Sequence, residues 1–364
     1  MSDVIVEKRS RISQILIRAG LLYVAPILLS FSLCSILLLA IGANPLDIYF
    51  RLLFGTFRSR YWISELILKV TPLLLCSLAV TLALKAKFWN IGVEGQFCMG
   101  AWAAGGIAIT FGSLPGYLLL PLMVIAGFVS GSLWGAIPGV LKIKLKVNEI
   151  ITTLLMNYVA ALWLNHFVYG RWKGRDGFPY TDTFSKSAYL PTLFGQRAHI
   201  GIFFGIAAAV ILYFVFERTR FGYKAKVVGE NVKAARYGGI NTGFVTLAVV
   251  LLSGGIAGIA GMSDVAGIHH RLNPNILLGY GYTGIIIAWL SKNKPLNVLI
   301  ISILFGILAV GGDIIQVRQV PNAIVRILQG TIFLSVLAAD GIMHRTRKSR
   351  RGEAKTRRGE LTEA

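Results

Sequence analysis

Long uncharged stretches alternate along the whole chain with short clusters of Lys and Arg. A membrane-spanning helix needs about 20 mainly apolar residues, and stretches of this length predict ten membrane helices. Residues 97–141 contain no charge, and the turn Leu114-Pro115-Gly116 divides them into two segments. The ten predicted segments are 21–41, 63–84, 97–114, 117–141, 150–169, 200–216, 242–262, 277–290, 296–310 and 321–341.

The basic clusters predict the orientation of these helices. An even number of crossings puts both termini on one side, and most of the 37 Lys and Arg residues then lie on that side. Because cytoplasmic loops carry an excess of Lys and Arg, we expect both termini in the cytoplasm. The predicted organisation is a basic N-terminal arm (1–18), a transmembrane domain (19–342) and a basic C-terminal tail (343–364).

Composition supports the same class of protein. With 55% hydrophobic and 15% charged residues, the chain lacks the polar surface that a soluble domain of this length needs. The net charge of +21 is divided among short loops, so a nucleic-acid partner is not expected. The uncharged stretch 19–46 is too long for the core of a signal peptide, which favours a retained first span. The predicted fold is an all-α polytopic membrane protein of about ten transmembrane helices.

Three groups of polar residues interrupt the apolar pattern. The stretch "FWNIGVEGQF" holds Asn90, Glu94 and Gln96 among glycines, and it fits a translocation path or a polar turn at the membrane surface equally well. Asn157 lies inside an apolar segment, where an amide is expected to face a partner helix or the pore. Tyr280 and Tyr282 follow Gly279, and they fit contact with a polar solute or a belt of interfacial tyrosines.

Two loops are long enough to have roles of their own. The outer loop, 170–199, fits contact with a soluble partner or a flexible connector. The inner loop, 217–241, contains a predicted short helix from Glu230 to Tyr237 that Gly238 and Gly239 end. We interpret this helix as a docking element for another protein, with anchoring to the lipid surface as the alternative. The docking residues are Glu230, Asn231, Ala234, Ala235, Arg236, Gly238 and Gly239.

Motifs of enzymes are not found in the sequence. There is no GxxxxGKS or GxxxxGKT phosphate loop, so the chain is not expected to hydrolyse ATP by that route. The five histidines lack zinc-ligand spacing, and a GxSxG motif is missing. No metal or cofactor is therefore expected.

Four motifs together resemble a known family. "FWNIGVEGQF", "KVNEIITTLLMNYVA", "ERTRFGYKAKVVGENVKAARYGGINTGFVTLAVVLLSGGIAGIAG" and "GYGYTGIIIAWLSKNKPLNVLIISILFG" occur in this order. Their order and spacing resemble the permease subunits of bacterial ABC importers of the nucleoside and simple-sugar type, relatives of the ribose and branched-chain amino-acid permeases. The resemblance runs from about residue 44 to residue 341.

The resemblance implies a function and a set of partners. It implies a permease with ten spans in the bacterial cytoplasmic (inner) membrane, which forms the path for a nucleoside or simple sugar. The implied partners are a second permease, a cytoplasmic ABC ATPase docked on the inner loop, and an extracytoplasmic binding lipoprotein that delivers the substrate. The alternative is an ion-coupled secondary transporter, which predicts paired buried carboxylates and leaves the docking helix unexplained.

Overall fold

A computed structural model describes residues 28–193 and 195–339. The predicted arm (1–18) and tail (343–364), and with them both termini, lie outside the described residues. In the described part every long element is a helix. The helices are α1 Leu28–Ala40, α2 Pro45–Phe54, α3 Arg60–Lys85, α4 Val93–Thr110, α5 Gly116–Leu145, α6 Glu149–Tyr169, α7 Gly201–Arg218, α8 Arg220–Glu230, α9 Val232–Tyr237, α10 Thr242–Asp264, α11 Tyr280–Leu290, α12 Pro295–Gln316 and α13 Ala323–Ala339.

Six of these helical stretches are long and apolar enough to cross a membrane. They are Arg60–Lys85, Gly116–Leu145, Glu149–Tyr169, Gly201–Arg218, Thr242–His269 and Pro295–Gln316. α1, α11 and α13 are shorter apolar helices. The chain is therefore a polytopic α-helical membrane protein. Each of the ten predicted segments overlaps a helix, but the number of crossings stays a prediction.

Several boundaries differ from the predicted ones, and two helices were not predicted. α4 begins at Val93 instead of residue 97, so Glu94 and Gln96 lie within its first turn. α11 begins only at Tyr280 because Gly279 has a left-handed backbone, with φ of 85°. α2 and α8 were not predicted because the search was for long uncharged stretches, and these helices are short, amphipathic and contain charged residues.

The described chain forms two compact units. One comprises residues 28–53 and 311–339. In it, the Tyr49 hydroxyl donates to the Phe31 carbonyl at 2.6 Å, and Ser30 pairs with Ser335 at 3.3 Å. Gly311 packs directly on the backbone of Leu52. The other unit comprises residues 54–310 and holds the polar residues singled out above.

Three helices of the larger unit pack through glycines. A Cβ at Gly258 of α10 would overlap the carbonyl oxygen of Gly127 in α5 and lie 3.2 Å from Gly131 Cα. A Cβ at Gly100 of α4 would overlap the backbone of Gly258, and one at Gly131 would overlap the Gly254 carbonyl. Small residues allow membrane helices to approach to backbone contact. The packing of α4, α5 and α10 therefore depends on glycine at these positions.

Replacing Gly258 with Ala should destabilise the folded protein. The added methyl group meets backbone atoms, which cannot rotate away, and overpacking of this kind costs roughly 1–3 kcal/mol. We expect a lower thermal unfolding midpoint of the purified protein in detergent. Gly330→Ala is the matched control, because nothing lies within 4 Å of a Cβ there. Equal midpoints for the two variants would contradict the packing described here.

Candidate translocation site

Glu94 holds the beginning of α11. Its side chain is buried, with the residue only 2% exposed. Oε1 accepts a hydrogen bond from the Gly279 N–H at 2.8 Å, and Oε2 accepts one from the Gly281 N–H at 2.5 Å. The first N–H groups of a helix have no partner within the helix, and its N-terminus favours negative charge. Glu94 thus supplies both the acceptors and the charge that the start of α11 requires.

Asn157 of α6 connects the same region to a third helix. Its Oδ1 accepts from the Gly95 N–H at 2.8 Å, while its Nδ2 donates to the Ile91 carbonyl at 3.0 Å and to the Tyr282 hydroxyl at 3.1 Å. The amide therefore joins α6 to the start of α4 and to α11. Of the two expected surroundings, a partner helix or the pore, these contacts are with partner helices, and a role of Asn157 in the path stays a prediction.

Asn90 and Gln96 form a reciprocal amide pair beside this site. Asn90 Nδ2 donates to Gln96 Oε1 at 2.9 Å, and Gln96 Nε2 donates to Asn90 Oδ1 at 3.0 Å. Asn90 Nδ2 also donates to Ser253 Oγ in α10 at 3.0 Å, and Ser253 donates to the Ala79 carbonyl of α3 at 2.7 Å. Both amides are buried and satisfied by partners, as buried polar groups must be. We call Asn90, Glu94, Gln96, Asn157, Ser253 and Tyr282 the polar junction.

The two tyrosines occupy different environments. Tyr280 is buried, and its ring lies 6.0 Å from that of Phe97. Tyr282 is 41% exposed. Of the six residues predicted from the sequence as candidates for the path, Tyr282 therefore presents the most surface, and Asn90, Glu94, Gln96 and Asn157 are enclosed.

The polar junction lies about halfway along α3. A Cβ at Gly284 of α11 would lie 3.1 Å from backbone atoms of Cys76 and Ser77 in α3, and Lys294, beyond α11, lies within electrostatic range of Lys85 at the end of α3. The two helices thus run in the same direction. Tyr280 precedes Gly284 by four residues, which corresponds to about 6 Å along the axis of α11. α11 therefore begins near the middle of α3, a helix long and apolar enough to cross a membrane.

The contacts of Glu94 bear on the two sequence interpretations, and both stay predictions. Glu94 is buried in the first turn of α4, and it bonds backbone N–H groups instead of pairing with Lys85 or Lys87. The sequence pattern did not reveal Gly279 and Gly281 as the partners of Glu94, or Ser253 as a partner of Asn90. The "GYGY" run was the available signal, since glycine at 281 leaves room for Glu94: a Cβ there would lie 2.5 Å from the Glu94 nitrogen.

Comparison with known proteins places the chain in a family. A model of the permease component of branched-chain amino acid transport systems matches residues 62–337. The chain belongs to this permease family. It is 36% identical to the glucose ABC transporter permease protein TsgB13 of Haloferax volcanii, over 87% of each chain. It is 31% identical to the guanosine ABC transporter permease protein NupP of Bacillus subtilis, over 87% of this chain and 92% of NupP.

A third relative extends over nearly the full length. The nucleoside ABC transporter permease protein NupB of Lactococcus lactis is 28% identical over 92% of this chain and 96% of its own. The chain is therefore a permease subunit of an ABC importer. In transporters, discontinuous helices end near the midplane of the bilayer, where solute sites are found. α11 of this permease is a half-helix of 11 residues, and its N-terminus is held by the protein's own carboxylate.

The permease should lose stability when Glu94 is replaced by Gln. Gln keeps one acceptor oxygen but turns an NH₂ group toward a backbone N–H, and an unsatisfied buried donor costs about 1–3 kcal/mol. We expect a lower thermal unfolding midpoint in detergent for Glu94→Gln. Asp176→Asn, which changes an exposed carboxylate of the outer loop, should leave the midpoint unchanged. An unchanged midpoint for Glu94→Gln would show that this carboxylate does not hold α11.

Proposed function

We propose that this permease carries a nucleoside or a simple sugar, and that the solute passes the exposed side of the polar junction. The names of the three relatives, which concern glucose, guanosine and nucleosides, support this substrate class. The observation that carries the proposal is Tyr282, a half-exposed aromatic ring whose hydroxyl group is held by a buried amide. A ring of this kind offers apolar contact to a sugar or base and a hydrogen bond to a hydroxyl group.

The enclosed residues have a supporting role in this proposal. Asn90, Glu94, Gln96 and Asn157 bond to one another, to Ser253 or to the backbone. A binding group acts well only when the groups behind it fix its orientation. Asn157 fixes the Tyr282 hydroxyl, while Glu94 fixes the turn from which the ring projects. Tyr280 packs behind them against Phe97.

The inner loop is proposed as the docking site of the ATPase. Asn231 ends α8 and begins α9, because its Oδ1 accepts from the N–H groups of Lys233 and Ala234 at 3.0 and 3.1 Å. The predicted helix start at Glu230 was therefore wrong by two residues, and Glu230 belongs to α8. Gly238 follows α9, and Gly239 has the left-handed φ of 72° that ends the helix.

The surface of α9 suits contact with a partner. Ala235 is buried, whereas the other five residues of this helix are exposed, including Val232 and Tyr237. Behind α9, a Cβ at Gly229 of α8 would overlap the Lys85 carbonyl at the end of α3. An ATPase bound to α9 would therefore lie next to α8, which packs tightly against a membrane span. Coupling between ATP hydrolysis and transport requires an element that is stiff enough to transmit movement and that can adopt two arrangements.

The proposed topology has ten crossings with both termini in the cytoplasm of a bacterial cell, in the inner membrane. The proposed partners are a second permease, a cytoplasmic ABC ATPase, an extracytoplasmic binding lipoprotein and the bilayer. A second permease finds support in Lactococcus lactis, where the nucleoside ABC transporter permease proteins NupB and NupC both resemble this chain. ATP hydrolysis is assigned to the ATPase partner.

The role of Tyr282 is tested by uptake of labelled nucleosides, pentoses and hexoses. Tyr282→Phe removes one hydroxyl and leaves Asn157 two other partners, so the protein should fold normally. Loss of one hydrogen bond to the solute costs about 0.5–1.5 kcal/mol, which raises the KM for uptake roughly 2- to 10-fold. Tyr158→Phe, an exposed tyrosine of α6, is the control. Uptake of none of these solutes by the wild-type complex would refute the substrate class.

The docking role of α9 is tested by removing its most exposed side chain. Tyr237 is 94% exposed, so Tyr237→Ala leaves the permease itself intact. Aromatic residues at the centre of an interface carry much of its affinity, and we expect about 10-fold weaker co-purification of the ATPase, with uptake reduced in parallel. Tyr223→Ala changes a 66% exposed tyrosine of α8 and should retain the ATPase. If both variants retain the ATPase equally well, α9 is not part of the interface.

A further inference from the structure

The outer loop is bonded to the segment that leads from α10 to α11. The Leu190 N–H donates to the Ala266 carbonyl at 3.0 Å, and the Phe184 N–H donates to the His270 carbonyl at 2.8 Å. The rings of Tyr189 and His270 are stacked, with their centroids 3.7 Å apart. The loop is therefore a folded cover on residues 265–272, and the interpretation of this region as a flexible connector does not fit these contacts.

His199 lies at the centre of this contact. The residue is 1% exposed. A Cβ at Gly267, in the π-helical turn that continues α10, would overlap its ring, and a Cβ at Gly201 would lie 2.6 Å from it. The imidazole is thus enclosed between the start of α7 and the end of α10. π-helical turns of this type are often found at functional sites.

The hydrogen bond of His199 requires the neutral ring. Its Nδ1 accepts from the N–H of Gly201, the first residue of α7, at 3.1 Å. An acceptor nitrogen carries no proton, so the proton of the neutral ring is on Nε2. A second proton would have to go on Nδ1, where it would face the Gly201 N–H. The positive end of the α7 dipole opposes a cation at the same place.

Burial and a neighbouring histidine also disfavour a charged ring at His199. Burial, followed by the proximity of His270, lowers the pKa of His199 to about 4. Burial also lowers the pKa of His270. On the α10 side, His269 Nε2 lies 3.3 Å from Asp264 Oδ2, and on the loop side Arg197 is paired with Glu65 of α3 at 2.7 Å. Arg271, which follows His270 in the chain, lies over the ring of Tyr180.

We propose that His199 is a proton-sensitive latch, a positioning residue that keeps the outer loop on the segment leading into α11 only while its ring is neutral. This goes beyond the proposed substrate and docking roles. Protonation removes the acceptor for Gly201, puts a cation in an enclosed space and weakens the attachment of residues 184–200. The latch bears on transport because residues 265–279 lead directly to the half-helix held by Glu94.

The direction of the pH effect follows from linkage. The pKa of His199 is about 4 in the docked loop and about 6.5 in a solvated histidine, so the docked state binds fewer protons than the released state. The full contribution to docking is present above about pH 6.5 and is lost as the pH falls toward 4. At about pH 5 the ratio of docked to released loop should be about 30-fold lower than at about pH 7.5.

Hydrogen exchange in the purified full-length protein tests the latch without requiring transport. Protection factors for peptides covering 184–200, corrected for the intrinsic pH dependence of exchange, should fall about 30-fold between about pH 7.5 and about pH 5 in the wild type. His199→Gln keeps an acceptor oxygen but does not titrate, so its protection should be independent of pH. His166→Gln, which changes an exposed histidine, should behave as the wild type.

Three outcomes would overturn the proposal. The first is a pH-independent wild type, which is informative even if the Gln variant does not fold. The second is a response in His199→Gln, or in the shorter variant His199→Asn, equal to that of the wild type. The third is loss of the pH response in His269→Gln together with its retention in His199→Gln. That result would show that the titrating group is His269, which is paired with Asp264, and not His199.

Discussion

The close approach of α4, α5 and α10 is the constraint on which the rest of the larger unit depends. At Gly100, Gly131 and Gly258 the backbones meet with no room for a methyl group. This contact fixes α4 against α10, whose Ser253 accepts from Asn90 just before α4, and so fixes the position of Glu94. Within a membrane, packing of this kind replaces the hydrophobic effect as the force that holds helices together.

The half-helix α11 follows from the position of Glu94. A helix that begins inside an apolar layer has N–H groups without partners, and leaving each one unsatisfied there is costly. The carboxylate of Glu94 provides two acceptors, and Asn157 supports the same turn through Tyr282. The same contacts that make the broken helix tolerable also place one half-exposed aromatic ring beside the middle of α3. Folding and the proposed transport role therefore use one set of residues.

The helical segments were largely predictable because the bilayer demands uncharged helices of a minimum length. The boundaries failed where a local hydrogen bond or backbone angle decides them. Asn231 starts α9 by capping its N–H groups, and Gly279 delays the start of α11 through a left-handed angle. Asn90 and Glu94 stood out as polar residues in an apolar chain. Their partners Ser253 and Gly281 did not, because pairing between residues so far apart in the chain depends on helix packing and leaves no local pattern.

The contacts of the outer loop were likewise not predictable from its local sequence. Its sequence fitted a partner surface or a connector, and nothing in the local pattern pairs His199 with Gly267. That contact exists because residues 265–272 leave α10 through a π-helical turn and pass beneath the loop. The loop is hydrogen-bonded to residues 266–272, and these residues lead along the chain to the start of α11 at the polar junction.

Thiol labelling at position 282 tests most directly whether the exposed side of the polar junction faces an aqueous path. In the assembled complex, Tyr282→Cys should react with a membrane-impermeant hydrophilic reagent, and a transported nucleoside or sugar should slow the reaction. Ile300→Cys, at an exposed apolar position of α12, should react only with a lipid-soluble reagent. The account is contradicted if the thiol introduced by Tyr282→Cys reacts only with the lipid-soluble reagent or if no transported solute protects it.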